Sequence, residues 1–192
     1  LINGDVRSIA CMERINVTID YIIHCASPTA SAYMISNPVE TVDSIVLGTK
    51  NVLEFARTKN IKSMVYLSSM EVYGKVPEIG RTRTEEELGE ISLDSVRSCY
   101  PLAKRMAEHY CYIYAKEYAV PVRCARLAQT FGKGVREEDN RIYMQFARAI
   151  VSNADIVLNT KGTTIGNYCA IEDTVEAILL ILNAGVAGEV YN

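Results

Sequence analysis

Short runs of β-branched and aromatic residues alternate with longer segments of helical periodicity along most of this chain, and that alternation limits its possible folds more than any other feature. Residues 20–26 (Asp-Tyr-Ile-Ile-His-Cys-Ala) read as a buried strand that ends at small residues. Residues 62–68 and 120–127 read the same way, and 156–158 read as a shorter strand. Between the first two, a helix is expected to open with Asn37 as N-cap, Pro38 at the first helical position and Glu40 closing a capping box. It should stop near Lys59 and Asn60. Further helices are expected at 99–118, 142–151 and 173–182. The polar stretch 75–95, with Pro77, Gly80 and Glu85-Glu86-Glu87, reads as a long excursion of the kind that usually serves function or moves. Strand and helix in alternation imply right-handed crossovers, hence a doubly wound parallel α/β sheet with helices on both faces. Ligands of such sheets gather at the carboxyl ends of the strands, which here means just after Cys25, Leu67 and Leu127.

Composition removes several alternatives. With 192 residues, 49% apolar and a net charge of −3, the chain suits one soluble core and offers no Lys/Arg stripe for nucleic acid. The one long uncharged stretch, 21–39, is broken by His24, Ser27, Pro28, Ser31, Ser36, Asn37 and Pro38, so no membrane span is expected. No export signal opens the chain, and the six cysteines form no CxxC pair, which reads as a reducing, cytoplasmic setting. With only two histidines besides, no metal site is expected.

Tyr100 and Lys104 stand four residues apart, on one face of a helix. A cation beside a phenol favours the phenolate, and such a Tyr can take a proton from a sugar or alcohol hydroxyl. Many helices hold this pair by chance. The strand before it, however, ends in Ser68, Ser69 and Glu71, hydroxyls and a carboxylate that can bond a substrate oxygen, although Ser at a strand end also caps loops. Glu71 suits a second proton transfer, with pairing to an arginine as the competing explanation.

Together these segments resemble the extended short-chain dehydrogenase/reductase superfamily, in its NAD-dependent nucleotide-sugar epimerase/dehydratase branch, and look close to the UDP-glucuronate decarboxylase group. The resemblance is carried by 23–28 (Ile-His-Cys-Ala-Ser-Pro), Asn37-Pro38 with Leu47-Gly48-Thr49, 68–74 (Ser-Ser-Met-Glu-Val-Tyr-Gly), Arg97-Ser98-Cys99-Tyr100 with Lys104-Arg105-Met106-Ala107-Glu108, Arg126-Leu127 with Thr130-Phe131-Gly132, and Asp173. These are collinear over nearly the whole chain. The resemblance implies a Rossmann-like domain that binds NAD or NADP, with NAD favoured. It makes Ser69, Tyr100 and Lys104 the catalytic trio, with Glu71 assisting and Lys104 also on the nicotinamide ribose. It further implies cofactor contacts from Asp5, Val6, Cys25, Ala26, Ser27, Leu67, Ser68, Leu127 and Ala128, and contacts to a nucleotide-sugar substrate from Ser69, Gln129 and Thr130.

The same resemblance sets expectations for organisation. Residues 1–132 would be a partial dinucleotide-binding domain, and 133–192 a segment shared between a substrate lobe and the last part of the sheet. No Gly-rich phosphate loop occurs in the 192 residues, so the chain reads as a portion of a longer protein. Met70 stands where the 4,6-dehydratases carry an Asp acid, which argues against dehydration; Gly166 stands where an Arg is usual, which argues against decarboxylation. The leading expectation is oxidation of a ring hydroxyl followed by epimerisation; decarboxylation and a non-catalytic binding module are the alternatives. A homodimer is expected through the 38–58 and 99–118 helices, which carry Val39, Val42, Val46, Val52, Leu53 and Phe55, and Tyr110, Cys111, Tyr114 and Tyr118, with an apolar surplus to meet its twin across a two-fold axis.

Overall fold

The computed structural model describes residues 1–75, 82–135, 137–158, 161–163 and 165–192. In chain order the elements are α1 (Ile9–Glu13), β1 (Tyr21–His24), α2 (Ser31–Ser36), α3 (Pro38–Lys59), β2 (Ser63–Ser69), a 3-10 turn (Met70–Tyr73), a second such turn (Val96–Ser98), α4 (Cys99–Tyr118), β3 (Val122–Leu127), β4 (Gln129–Phe131), α5 (Ile142–Val151), β5 (Tyr168–Ala170), α6 (Ile171–Ala184) and β6 (Val190–Tyr191). The main sheet has the order β1-β2-β3-β6 and is parallel throughout; β4 and β5 pair separately, also in parallel.

The period-two alternation of the strands divides the core. Met64 and Tyr66 of β2 join Val122 and Cys124 of β3 on the face covered by α3 and α4. Val65 and Ala125 point the opposite way and meet Ile178 of α6. Helices therefore cover both faces, as the doubly wound reading requires. Helix α3 starts with Pro38 in its first turn and Glu40 near the positive end of its dipole; it closes with Arg57 and Lys59 in the last turn and Asn60 in the left-handed region at φ 50°.

Three expectations are corrected. The capping box at Asn37 does not form. Asn37 turns its Nδ2 back toward Ser36 Oγ (2.9 Å), leaving α3 without a side-chain cap, and Glu40 reaches Arg7 instead. The strand expected at 156–158 is absent: Ile156, Val157 and Leu158 are exposed and form no ladder. The surplus on the two long helices is narrower than the sequence implied, because Val52, Leu53, Cys111 and Tyr114 are core residues and Val42, Val46 and Tyr110 pack against them. Val39 and Tyr118 stay exposed, joined by Leu47, Met106 and Tyr112.

Of the excursion expected at 75–95, Pro77 and Gly80 lie outside the described residues. The remainder is tied back to the strand end: the Gly89 amide donates to the Tyr73 carbonyl at 2.9 Å, and the Lys75 amide to the Glu90 carbonyl at 2.8 Å. Among the described residues no helix is long and apolar enough to cross a membrane.

Leu53 is fully buried at the contact between α3 and α4. Leu53→Ala should lower stability by about 2–5 kcal/mol, read as a fall in the urea midpoint at unchanged slope.

Candidate active site

The carboxyl end of β2 and the first two turns of α4 meet at one place, and the sequence-predicted proton-transfer residues collect there. Helix α4 enters the core through Tyr100, Pro101, Ala103 and Lys104, all buried. The four-residue spacing puts Tyr100 and Lys104 on the same face, turned toward the sheet. Lys104 is only 3% exposed; its Nζ donates to the Leu67 carbonyl at 2.7 Å. The ammonium also lies over two rings, 4.8 Å from the centroid of Tyr66 and 5.6 Å from that of Tyr100.

This arrangement corrects one electrostatic expectation. Lys104 was to depress the phenol pKa, but burial raises Tyr100 above the usual phenol range; the nearby Ser69 hydroxyl opposes that shift, Glu71 adds to it and Arg97 pulls it down. The lysine charge sits on the ring face and is spent on a backbone carbonyl, so the hydroxyl gains little from it. Burial also lowers Lys104 itself, to about 8, with Glu108 opposing.

Ser69 closes β2 in extended backbone and its Oγ accepts from the Glu71 amide at 3.2 Å, so the hydroxyl near the phenol also caps the 3-10 turn. Glu71 takes the arginine pairing: Arg97 Nη2 donates to its Oε1 at 2.7 Å, and the Arg97 guanidinium lies 5.5 Å from the Tyr100 ring centroid. Arg97 thus joins Glu71 to Tyr100, a link the sequence held only as a possible pairing.

The expected cofactor residues fall into two groups. Cys25, Ala26 and Ser27 follow β1 at the same sheet end; Cys25 is exposed and feels the Lys104 charge, although burial of its thiol is the larger effect and raises its pKa. Leu127 ends β3 and Ala128 follows it, both half-buried, beside the end of β2. Asp5 and Val6 belong to the α3 side. Val6 packs where Gly48 leaves room for it, since a Cβ on Gly48 would come within 2.8 Å of Val6 Cγ2, and Asn51 Nδ2 holds the Val6 carbonyl at 3.0 Å. Asp5 is held below the ordinary carboxylate range by its hydrogen bonds with Arg7. Gln129 and Thr130 form β4. The Gln129 amide donates to the Asn167 carbonyl at 3.1 Å, and Thr130 Oγ1 meets Thr174 Oγ1 at 3.5 Å.

A dinucleotide needs polar atoms waiting at the strand ends. Ser68 Oγ is buried there without a partner, and Lys104 keeps donors beyond the one given to Leu67. These residues fit the ribose and nicotinamide half of such a group. Among the described residues no three His, Cys, Asp or Glu side chains converge on a site for a metal ion.

Sequence reasoning counted Arg126 and Glu108 among the residues of the family resemblance but missed that they pair. Arg126, within the apolar strand β3, forms a two-pronged pair with Glu108 at 3.0 and 2.8 Å, both nearly out of water. An arginine inside a buried strand and a glutamate one turn beyond Lys104 were the available signals.

Parallel strands with helices on both faces define a Rossmann-type α/β protein, with a buried Tyr–Lys pair at a strand end as its candidate site. The description of the NAD dependent epimerase/dehydratase family matches residues 1–192, and the chain belongs to that family. It is 30% identical over 190 residues to UDP-glucuronic acid decarboxylase 1 of Xenopus tropicalis, covering 99% of this chain and 43% of that protein. It is 28% identical over 178 residues to UDP-glucuronic acid decarboxylase 6 of Arabidopsis thaliana, covering 93% and 51%. The chain therefore spans about half the length of the curated relatives it matches. In fold it is similar to the UDP-glucose 4-epimerase of Thermotoga maritima with UDP-glucose (TM-score 0.87, 22% identity, 98% of this chain and 60% of that one). The UDP-glucose 4-epimerase of Thermus thermophilus in complex with NAD is also similar (TM-score 0.83, 24% identity, 100% and 62%).

His24, beneath Lys104 and beside Tyr66, is buried with Nε2 3.1 Å from Thr49 Oγ1; burial, then the Lys104 charge, lowers its pKa to about 4. An unfolded histidine takes its proton near about 6.5, so between that pH and 4 the unfolded state holds more protons. Stability should fall as pH falls through this window, by up to about 1.4 kcal/mol per unit. Urea titrations of His24→Gln across the same window should show that slope removed.

Proposed function

We propose that the full-length protein is an NAD(P)-dependent enzyme that oxidises a ring hydroxyl of a nucleotide-activated sugar, in the epimerase/dehydratase manner. The observation that carries this reading is the buried Tyr100, near Ser69 and sharing its helix face with Lys104 at the end of β2. Names of the relatives support the substrate class: UDP-glucuronic acid decarboxylases by sequence, and epimerase structures with UDP-glucose or NAD by fold.

When bound, the nicotinamide supplies the hydride acceptor. The chain's own residues do the rest. Once its own proton has passed to solvent, the Tyr100 phenolate takes the proton from the sugar hydroxyl, and Ser69 Oγ stabilises the oxygen as its carbonyl character develops. Lys104, with a donor committed to Leu67, keeps further protons for the ribose hydroxyls. Cys25, Ala26, Ser27, Leu127 and Ala128 line the path of the cofactor, and Asp5 and Val6 suit the adenine end. Gln129 and Thr130 extend toward the substrate lobe, which we place within 133–192, while 1–132 carries the dinucleotide. Glu71, paired with Arg97, would serve a second proton transfer.

Decarboxylation is the second reading, favoured by the sequence relatives and by the charged Glu71–Arg97 pair near Tyr100. Release of carbon dioxide from UDP-glucuronate selects it. Interconversion of a UDP-hexose without that release selects epimerisation. Binding without turnover by the full-length protein would select the non-catalytic module.

Two outcomes are expected of the full-length protein. Tyr100→Phe should lower turnover about a hundred- to ten-thousandfold while leaving the unfolding transition in place; near-normal turnover would reject the base assignment. The exposed Val39, Leu47, Met106, Tyr112 and Tyr118 on α3 and α4 suit a two-fold homodimer in a cytoplasmic, reducing setting where the six cysteines stay free. Light scattering at micromolar concentration should give twice the chain mass, and a monomer mass would reject the dimer.

A further inference from the structure

Three consecutive residues of the turn after Ser69 are each gripped by a different arginine, and the arginines come from three separate elements. Arg97, in the turn Val96–Ser98, donates to Glu71 Oε1 at 2.7 Å. Arg105, on α4, donates through Nε to the Val72 carbonyl at 2.7 Å. Arg126, on β3, donates through Nη1 to Tyr73 Oη at 3.0 Å and lays its guanidinium 4.9 Å from the centroid of that ring. The same side chains hold the neighbouring loop, since Arg105 reaches the Gly89 carbonyl and Arg126 the Glu85 carbonyl. Beyond Tyr73 the chain leaves through Gly74 at φ 64°, a conformation that an L side chain rarely adopts.

Arg126 is the deepest of the three. Its side chain is 4% exposed, and Nε and Nη2 close on the Glu108 carboxylate while Nη1 serves Tyr73 and Glu85. Glu108 lies one helical turn beyond Lys104 on α4. One guanidinium therefore spans the strand end, the Tyr100–Lys104 helix and the turn that carries Ser69 and Glu71. Buried ion pairs add little net stability against an apolar replacement, so geometry is the gain such a pair offers.

We propose that Arg126 is a positioning residue that sets the Ser69–Glu71 turn against the Tyr100–Lys104 helix, a role that rests on the functional reading above. Through Glu108 it fixes α4 next to the turn bearing Lys104, and through Tyr73 it fixes the far end of the turn that Ser69 opens. It touches no reacting atom. Ångström-scale misplacement of a reacting group is enough to cost about a hundredfold in rate.

The test uses full-length Arg126→Lys and Tyr73→Phe, measuring kcat, KM for the nucleotide sugar, dinucleotide affinity, the unfolding transition and amide hydrogen exchange. The expected result is a kcat loss of about ten- to hundredfold with KM and dinucleotide affinity within about twofold, and faster exchange confined to 69–75 and 82–90. Unchanged kcat and unchanged exchange in both variants overturn the proposal. So does a kcat loss that vanishes once the folded fraction is corrected for. If Arg126→Lys does not fold, Tyr73→Phe carries both readouts. Should the wild-type protein turn over no nucleotide sugar, the functional reading fails, and exchange alone decides: local loosening in Tyr73→Phe supports the positioning role and unaltered protection overturns it.

Discussion

Strand β2 pairs with β1 on one side and β3 on the other, and this double pairing governs the rest of the structure. A strand so placed must be apolar on both faces, and Met64, Val65 and Tyr66 are all essentially out of water. Its alternating side chains assign α3 and α4 to one face and α6 to the other. Its carboxyl end then delivers Leu67, Ser68 and Ser69 to the place where α4 enters the core. The Leu67 carbonyl is the acceptor that lets Lys104 be buried at all, since an ammonium out of water needs compensating bonds.

The site inherits a tension from this burial. Tyr100 sits above the usual phenol range and Lys104 below the usual lysine range, both chiefly from loss of water. Each shift opposes the charge state that proton abstraction passes through, so the protein relies on placed dipoles and neighbours rather than on a free ammonium at the hydroxyl. Ser69 and Arg97 are the groups that pull the phenol down. Arg97 bonds Glu71 of the turn Met70–Tyr73, and Arg105 and Arg126 bond the two residues that follow Glu71.

The sequence was most legible where local pattern and tertiary need coincide. β2 has an apolar centre at Met64–Leu67, β1 forms where expected although Tyr21 and Ile23 are exposed, and α4 and α5 span the expected residues. The short strands β4, β5 and β6 escaped notice because two- and three-residue strands exist only through distant partners, such as Thr130 opposite Cys169. Ile156, Val157 and Leu158 carry the same local signal and have no ladder, so pattern alone promoted them wrongly. In the site, four-residue spacing was enough to put Tyr100 and Lys104 on one face. Spacing cannot say which atom the ammonium serves, and it serves Leu67 rather than the phenol oxygen. The pairing of Arg126 with Glu108 was hidden for a related reason: each looks like an ordinary charge until strand and helix are packed together.

The central claim is that Tyr100, Lys104 and Ser69 form a site for removing a proton and a hydride from one sugar carbon. Rapid mixing of the full-length protein, loaded with oxidised dinucleotide, against a nucleotide sugar tests it most directly. The expected result is a transient rise in the near-ultraviolet absorbance of reduced nicotinamide before product appears. Product formation with no reduced nicotinamide at any time, under single-turnover conditions, would contradict it.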